Sequence, residues 1–197
     1  MILALFALVA SGPAAASDTP LSGLEGHPRD RFPLGLWTQA TGDAELDAAM
    51  RRAVDDWNAL FRETLGVTAF AAVPREAARV RVNVEPATSA GLMGVTYLHT
   101  DDTGVIQVPV SITVVEPTAR GQTSRETLLY QVLAHELGHA IGLPHVRDPR
   151  SLMCCEPGAV DFKDPVAREA YVEARRRPDL RSVQRELADH YARFWRR

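Results

Sequence analysis

The chain has 197 residues, 46% of them apolar and 24% charged, with a net charge of −3. That length suffices for one well-packed domain and falls short of two ordinary ones, and the composition excludes disordered, fibrous and disulfide-scaffold classes. Residues 162–197 carry ten basic and six acidic side chains, but the two signs interleave along helix-like sequence, which predicts a solvated helical face and no nucleic-acid partner.

Residues 2–10 are an uncharged apolar run, followed by Ala14-Ala15-Ala16, an A-x-A cleavage pattern. Residues 1–16 therefore predict a signal peptide and a secreted or periplasmic protein. The run is too short to span a bilayer and no cysteine follows it, so no stable membrane anchor is expected. Residues 17–30 mix Ser, Asp, Pro and Gly without periodicity and predict a flexible leader. Residues 31–197 are then expected to form a single domain, as a monomer.

A first long helix is predicted from Asp43 to Glu63, because Leu46, Met50, Ala53, Trp57 and Leu60 recur at three- and four-residue steps behind Asp43 as N-cap. Strand signals follow in Arg79 to Val84, which alternates apolar and polar residues, in Gly94 to His99, and in the Val- and Ile-rich Gly104 to Val115. Asp101 and Asp102 lie between the last two. Two carboxylates could contribute to a calcium site, but no loop supplies the six to eight oxygens needed, so this stretch predicts a turn and leaves calcium unsupported.

The next helix carries the chemistry. Thr123 and Glu126 stand at capping-box spacing, and Leu128, Leu129, Val132 and Leu133 supply a face to bury. His135 and His139 are four residues apart, so both imidazoles project from one face and can grip one ion. Glu136 points about 100° around the helix, which suits a general base acting on water and not a ligand. Gly142 allows a left-handed turn that returns His145 to the same ion. Three neutral imidazoles leave one position of a tetrahedral zinc open, and an open position distinguishes a catalytic zinc from a closed structural one. One zinc ion per chain is predicted, because His27, His99 and His190 are far apart in the sequence.

Met153 follows eight residues after His145, and then come Cys154 and Cys155. Adjacent cysteines leave several states open: apolar fillers, a vicinal disulfide, an intermolecular bridge, or soft metal ligands with a regulatory role. Asp164 to Arg177 predicts a polar helix ending at Pro178, and Leu180, Val183, Leu187, Tyr191 and Phe194 mark a last helix packing behind the site.

His135-Glu136-x-x-His139-x-x-Gly142-x-x-His145 with the later Met153 resembles the metzincin signature and its Met-turn. The histidine as third ligand and the eight-residue step to methionine are most similar to the matrixin branch, small bacterial peptidases included. Further upstream, Arg31 to Trp37 and Trp57-Asn58 are similar to the opening strand and first helix of those proteases. Gly91, Leu92, Met93, Gly94 and Val95 sit where that family places its substrate-binding edge strand. The resemblance implies an α+β zincin fold: a mixed, mostly parallel sheet with an active-site helix, a first long helix and C-terminal helices. Met153 would be a hydrophobic base beneath the ligands. The chain departs from matrixins after Met153, where they carry an aromatic residue and a proline, and Cys155 occupies the position of the astacin-like tyrosine. The leader holds no cysteine, so cysteine-switch latency is not expected there.

The sequence thus reads as a secreted zinc-dependent endopeptidase acting on protein or peptide substrates, with Glu136 as general base. The alternative is a catalytically silent zinc-binding or partner-binding module on the same fold.

Overall fold

The computed structural model describes residues 21–86, 93–118 and 123–196. The signal-like run, Gly91 and Leu92 lie outside them. Five strands form one sheet: β1 (Leu34–Thr38), β2 (Phe70–Ala72), β3 (Val80–Glu85), β4 (Gly94–Tyr97) and β5 (Val110–Val115), in the order β2-β1-β3-β5-β4. All pairs are parallel except β4 with β5, so the sheet is mixed and mostly parallel, as the resemblance implies. β4 is an edge strand.

The alternation in β3 places Val80 and Val82 in the core, and Val110, Ile112 and Val114 of β5 lie beside them. The strand signal that began at Gly104 becomes a ladder only at Val110. Gly104 closes a turn at φ 81°, and Pro109 has no N–H to give to a neighbouring strand. In that turn Asp101 accepts from the backbone N–H groups of Thr103 and Val105 and from the Thr103 hydroxyl, so its carboxylate serves as turn chemistry.

Helix α1 (Ala44–Leu65) starts at the predicted cap, with Asp43 accepting from the N–H groups of Glu45 and Leu46. Its stripe of Leu46, Met50, Ala53, Trp57, Leu60 and Phe61 is buried. Helix α2 (Arg125–Ala140) packs along α1, and the indole Nε1 of buried Trp57 donates to the Ala134 carbonyl at 2.9 Å. The cap of α2 is Ser124 and not Thr123: its side chain accepts from the Thr127 N–H. Arg125, the first helical residue, reaches back to Glu116 and to the Pro117 carbonyl, which fixes the start one residue later than the capping box suggested. Helix α3 (Pro165–Arg176) begins at Asp164 and is largely polar. A 3-10 turn, Leu180–Val183, leads into α4 (Gln184–Phe194), whose Leu187 and Tyr191 are buried against α1.

Residues 21–30 are not a flexible leader. Gly26 donates to the Gly104 carbonyl at 3.0 Å and accepts from the Ile106 N–H at 2.9 Å, and His27 is fully buried. Composition marked them as loop, but backbone pairing with the turn at Gly104 holds them.

Two outcomes follow. Trp57→Phe removes a buried donor and leaves a void, so it is expected to lower the unfolding free energy by about 2–4 kcal/mol in denaturant titrations, with an unchanged midpoint refuting the role given to the indole. His27 is neutral in the fold: Nδ1 faces the Arg31 guanidinium, a donor, so Nε2 carries the hydrogen donated to the Ala140 carbonyl at 2.9 Å. Burial, with the charges of Arg31 and Arg79, pushes its pKa down to about 4. The unfolded chain takes up this proton first, so stability is expected to fall as pH drops from about 6.5 to about 4. His27→Gln should flatten that slope by about 1.4 kcal/mol per pH unit, measured by urea unfolding across the window.

Candidate metal centre

His135, Glu136 and His139 lie on the last two turns of α2, and all three are buried. Helix geometry brings the two imidazoles together, but their aim is set by hydrogen bonds from elsewhere. Nδ1 of His135 donates to the Leu152 carbonyl at 2.8 Å, and Nδ1 of His139 donates to the Leu143 carbonyl at 2.8 Å. A carbonyl can only accept, so each Nδ1 carries the hydrogen and each Nε2 presents a bare lone pair.

After Ala140 the chain turns at Gly142, whose φ of 96° no side chain tolerates easily, and a Cβ there would also strike the Glu25 carbonyl. The turn is closed by the Gly142 and Leu143 N–H groups, which donate to the His139 and Gly138 carbonyls at 2.9 Å each. It delivers His145, half-buried, to the same point. The Nε2 atoms of His135 and His139 are 3.0 Å apart, those of His135 and His145 3.1 Å, and those of His139 and His145 3.2 Å. The three histidines singled out by spacing thus come together, and they are the only group of three or more metal-ligating side chains clustered in this way among the described residues.

The donor set fits zinc. A tetrahedral ion with Zn–N distances of about 2.0–2.1 Å holds its ligand atoms about 3.3 Å apart, close to the separations found. A single proton could bridge one pair of these nitrogens and would leave the third lone pair facing them. Burial keeps all three imidazoles neutral, as metal ligands must be: it holds His135 well below the usual range, His139 at about 4, and His145 lowered against an opposing pull from Glu156.

Met153 is fully buried and packs its sulfur against Gly138, where no larger residue would fit. The Val146 N–H donates to its carbonyl at 3.0 Å, tying the His145 loop to the Met-turn. Cys154 and Cys155 are joined to each other as a vicinal disulfide. Cys155 is not among the metal-ligating side chains gathered at the centre. Arg175 of α3 donates to the Cys154 carbonyl at 3.0 Å and steadies the turn from outside.

Glu136 meets a residue the sequence reading did not single out. Thr96 of β4, fully buried, donates its hydroxyl to Glu136 Oε2 at 2.7 Å. Burial pushes the Glu136 carboxyl up to about 7, with that hydrogen bond pulling the other way. Only the register of β4 against α2 reveals the pairing. Of the expected substrate-binding stretch, Gly94 and Val95 are on β4 and Met93 immediately precedes it. The Met93 carbonyl accepts from the Val115 N–H.

The family model of the matrixin peptidases matches residues 37–159, more than half of the chain, from β1 through the Met-turn. Comparison with curated proteins gives no match.

His139→Ala is expected to abolish tight zinc binding while retaining the fold, since it removes one of three convergent donors. Metal analysis after dialysis checks this, and stoichiometric zinc in the variant would overturn the ligand set.

Proposed function

The chain belongs to the matrixin family of metallopeptidases, and from that premise we propose that it is a secreted zinc-dependent endopeptidase, one zinc per chain, with Glu136 as general base. The observation that carries this reading is the convergence of three Nε2 atoms, two of them from α2, where the buried Glu136 directly follows His135. Bound at those nitrogens, zinc would supply the Lewis acidity that makes water nucleophilic near neutral pH and polarises the scissile carbonyl.

The chain's own groups do the rest. His135, His139 and His145 would hold the ion through their Nε2 atoms. Glu136 accepts the proton of the attacking water and returns it to the leaving amine. An extended substrate would add to the edge of β4 that no described strand covers, with main-chain hydrogen bonds there carrying the scissile bond towards the site. The apolar run and A-x-A pattern of residues 1–16 support export. No helix among the described residues is long and apolar enough to cross a membrane.

Glu136→Gln keeps size and shape but cannot take the proton. It is expected to retain zinc and lower casein or peptide hydrolysis by about 10²–10⁴-fold, whereas a chelator abolishes the wild-type activity. Near-wild-type turnover in the zinc-loaded variant would move the base elsewhere. Absence of hydrolysis by zinc-loaded wild-type protein across a peptide library would favour a silent binding module.

A further inference from the structure

The face of β4 that meets α2 carries two residues in alternation, Gly94 and Thr96, and both touch Glu136. A Cβ at position 94 would stand 2.6 Å from Cγ1 of Val132 and 3.0 Å from both Cγ and Oε1 of Glu136. No side chain fits there unless the glutamate moves. Two residues along, the Thr96 hydroxyl lies 2.7 Å from Glu136 Oε2 and 3.0 Å from the Glu136 carbonyl oxygen. The hydroxyl has one proton, and the shorter distance assigns it to the carboxylate.

Among the described residues no other hydrogen bond reaches that carboxylate, which is 3% exposed. A glutamate side chain turns about three bonds and would otherwise select its rotamer by packing alone. With Oε2 engaged by Thr96 and the space at Gly94 open to Oε1, one orientation is selected, and Oε1 is left as the oxygen without a protein partner.

We propose that Thr96 is a positioning residue for Glu136, holding Oε2 so that Oε1 is presented to the proton transferred in peptide hydrolysis, with Gly94 giving the carboxylate the room to adopt that orientation. This rests on the reading of Glu136 as general base. It assigns to the inner face of the substrate-binding strand a task separate from the one its outer edge performs.

The test compares Thr96→Val, which keeps the β-branched shape and removes the hydroxyl, with Thr96→Ser, which keeps the hydroxyl and removes the methyl. Steady-state kinetics on a peptide substrate are combined with zinc analysis and a crystal structure of each zinc-loaded variant. Thr96→Val is expected to lose about tenfold or more in kcat, the scale of one hydrogen bond to a charged group, with KM and zinc content within about twofold of wild type. Its Glu136 side chain should leave the wild-type rotamer. Thr96→Ser should return kcat to within about threefold and restore the rotamer. The assignment is overturned if Thr96→Val retains wild-type kcat, if it loses kcat with the Glu136 carboxylate unmoved, or if serine is as impaired as valine, which would make the methyl packing the cause. Should wild-type protein hydrolyse nothing, the general-base reading fails, and the Glu136 rotamer in the crystals still decides whether Thr96 positions it.

Discussion

Three nitrogen lone pairs aimed at one buried point repel each other, and a low-dielectric interior strengthens that repulsion. The arrangement persists because the opposite nitrogens of His135 and His139 are committed to the carbonyls of Leu152 and Leu143, which fixes both tautomer and ring direction. Those carbonyls belong to the Met-turn and to the loop after Gly142, so the segment between residues 142 and 153 orients the ligands as well as supplying the third. The left-handed Gly142 and the tie from Val146 to Met153 are the backbone conditions for that double duty.

The rest of the fold supports the end of one helix. The last carbonyls of α2 lack helical partners, and two of them are met by side chains from distant segments: Ala140 by the His27 imidazole and Ile141 by the Tyr191 hydroxyl at 2.7 Å. Trp57 reaches the Ala134 carbonyl one residue before the first ligand. Donors from the N-terminal segment, α1 and α4 thus converge on the stretch that carries the histidines. Phe32 packs edge to face on Tyr191 and Trp195, and Phe61 packs edge to face on Tyr191, so an aromatic cluster backs that support.

The histidine cluster was legible in the sequence because its contacts are local: His135, His139 and His145 lie within eleven residues, and helix period with one glycine turn dictates where they meet. Helix α1 was legible for a similar reason, since an apolar stripe of five residues behind an aspartate cap has few other readings. What escaped was non-local or carried by the backbone. β2 is three residues long, too short for a periodic signal. Residues 21–30 look like loop because their partners are main-chain groups some 80 positions away, at Gly104 and Ile106. Thr96 is one threonine among several until β4 is laid against α2. The state of Cys154 and Cys155 was undetermined because adjacent cysteines permit several chemistries, and only the conformation of the turn selects one.

Helix α3 lies beyond the matched family region, yet it contributes to the centre through Arg175. This guanidinium is substantially buried and has carbonyl partners, Ser151 and Cys154, where a carboxylate would be usual. Its planar fork bridges two acceptors that a lysine ammonium would meet less rigidly. A carboxylate there would neutralise the charge, whereas carbonyl partners leave it in force, and it acts on His135 to disfavour a proton on the ring. Burial of the ring pushes hardest in that direction, the imidazoles of His139 and His145 push with it, and Arg175 adds the least. The helix that steadies the turn at Met153 thus adds to the influences that keep His135 neutral, the form a metal-binding imidazole takes.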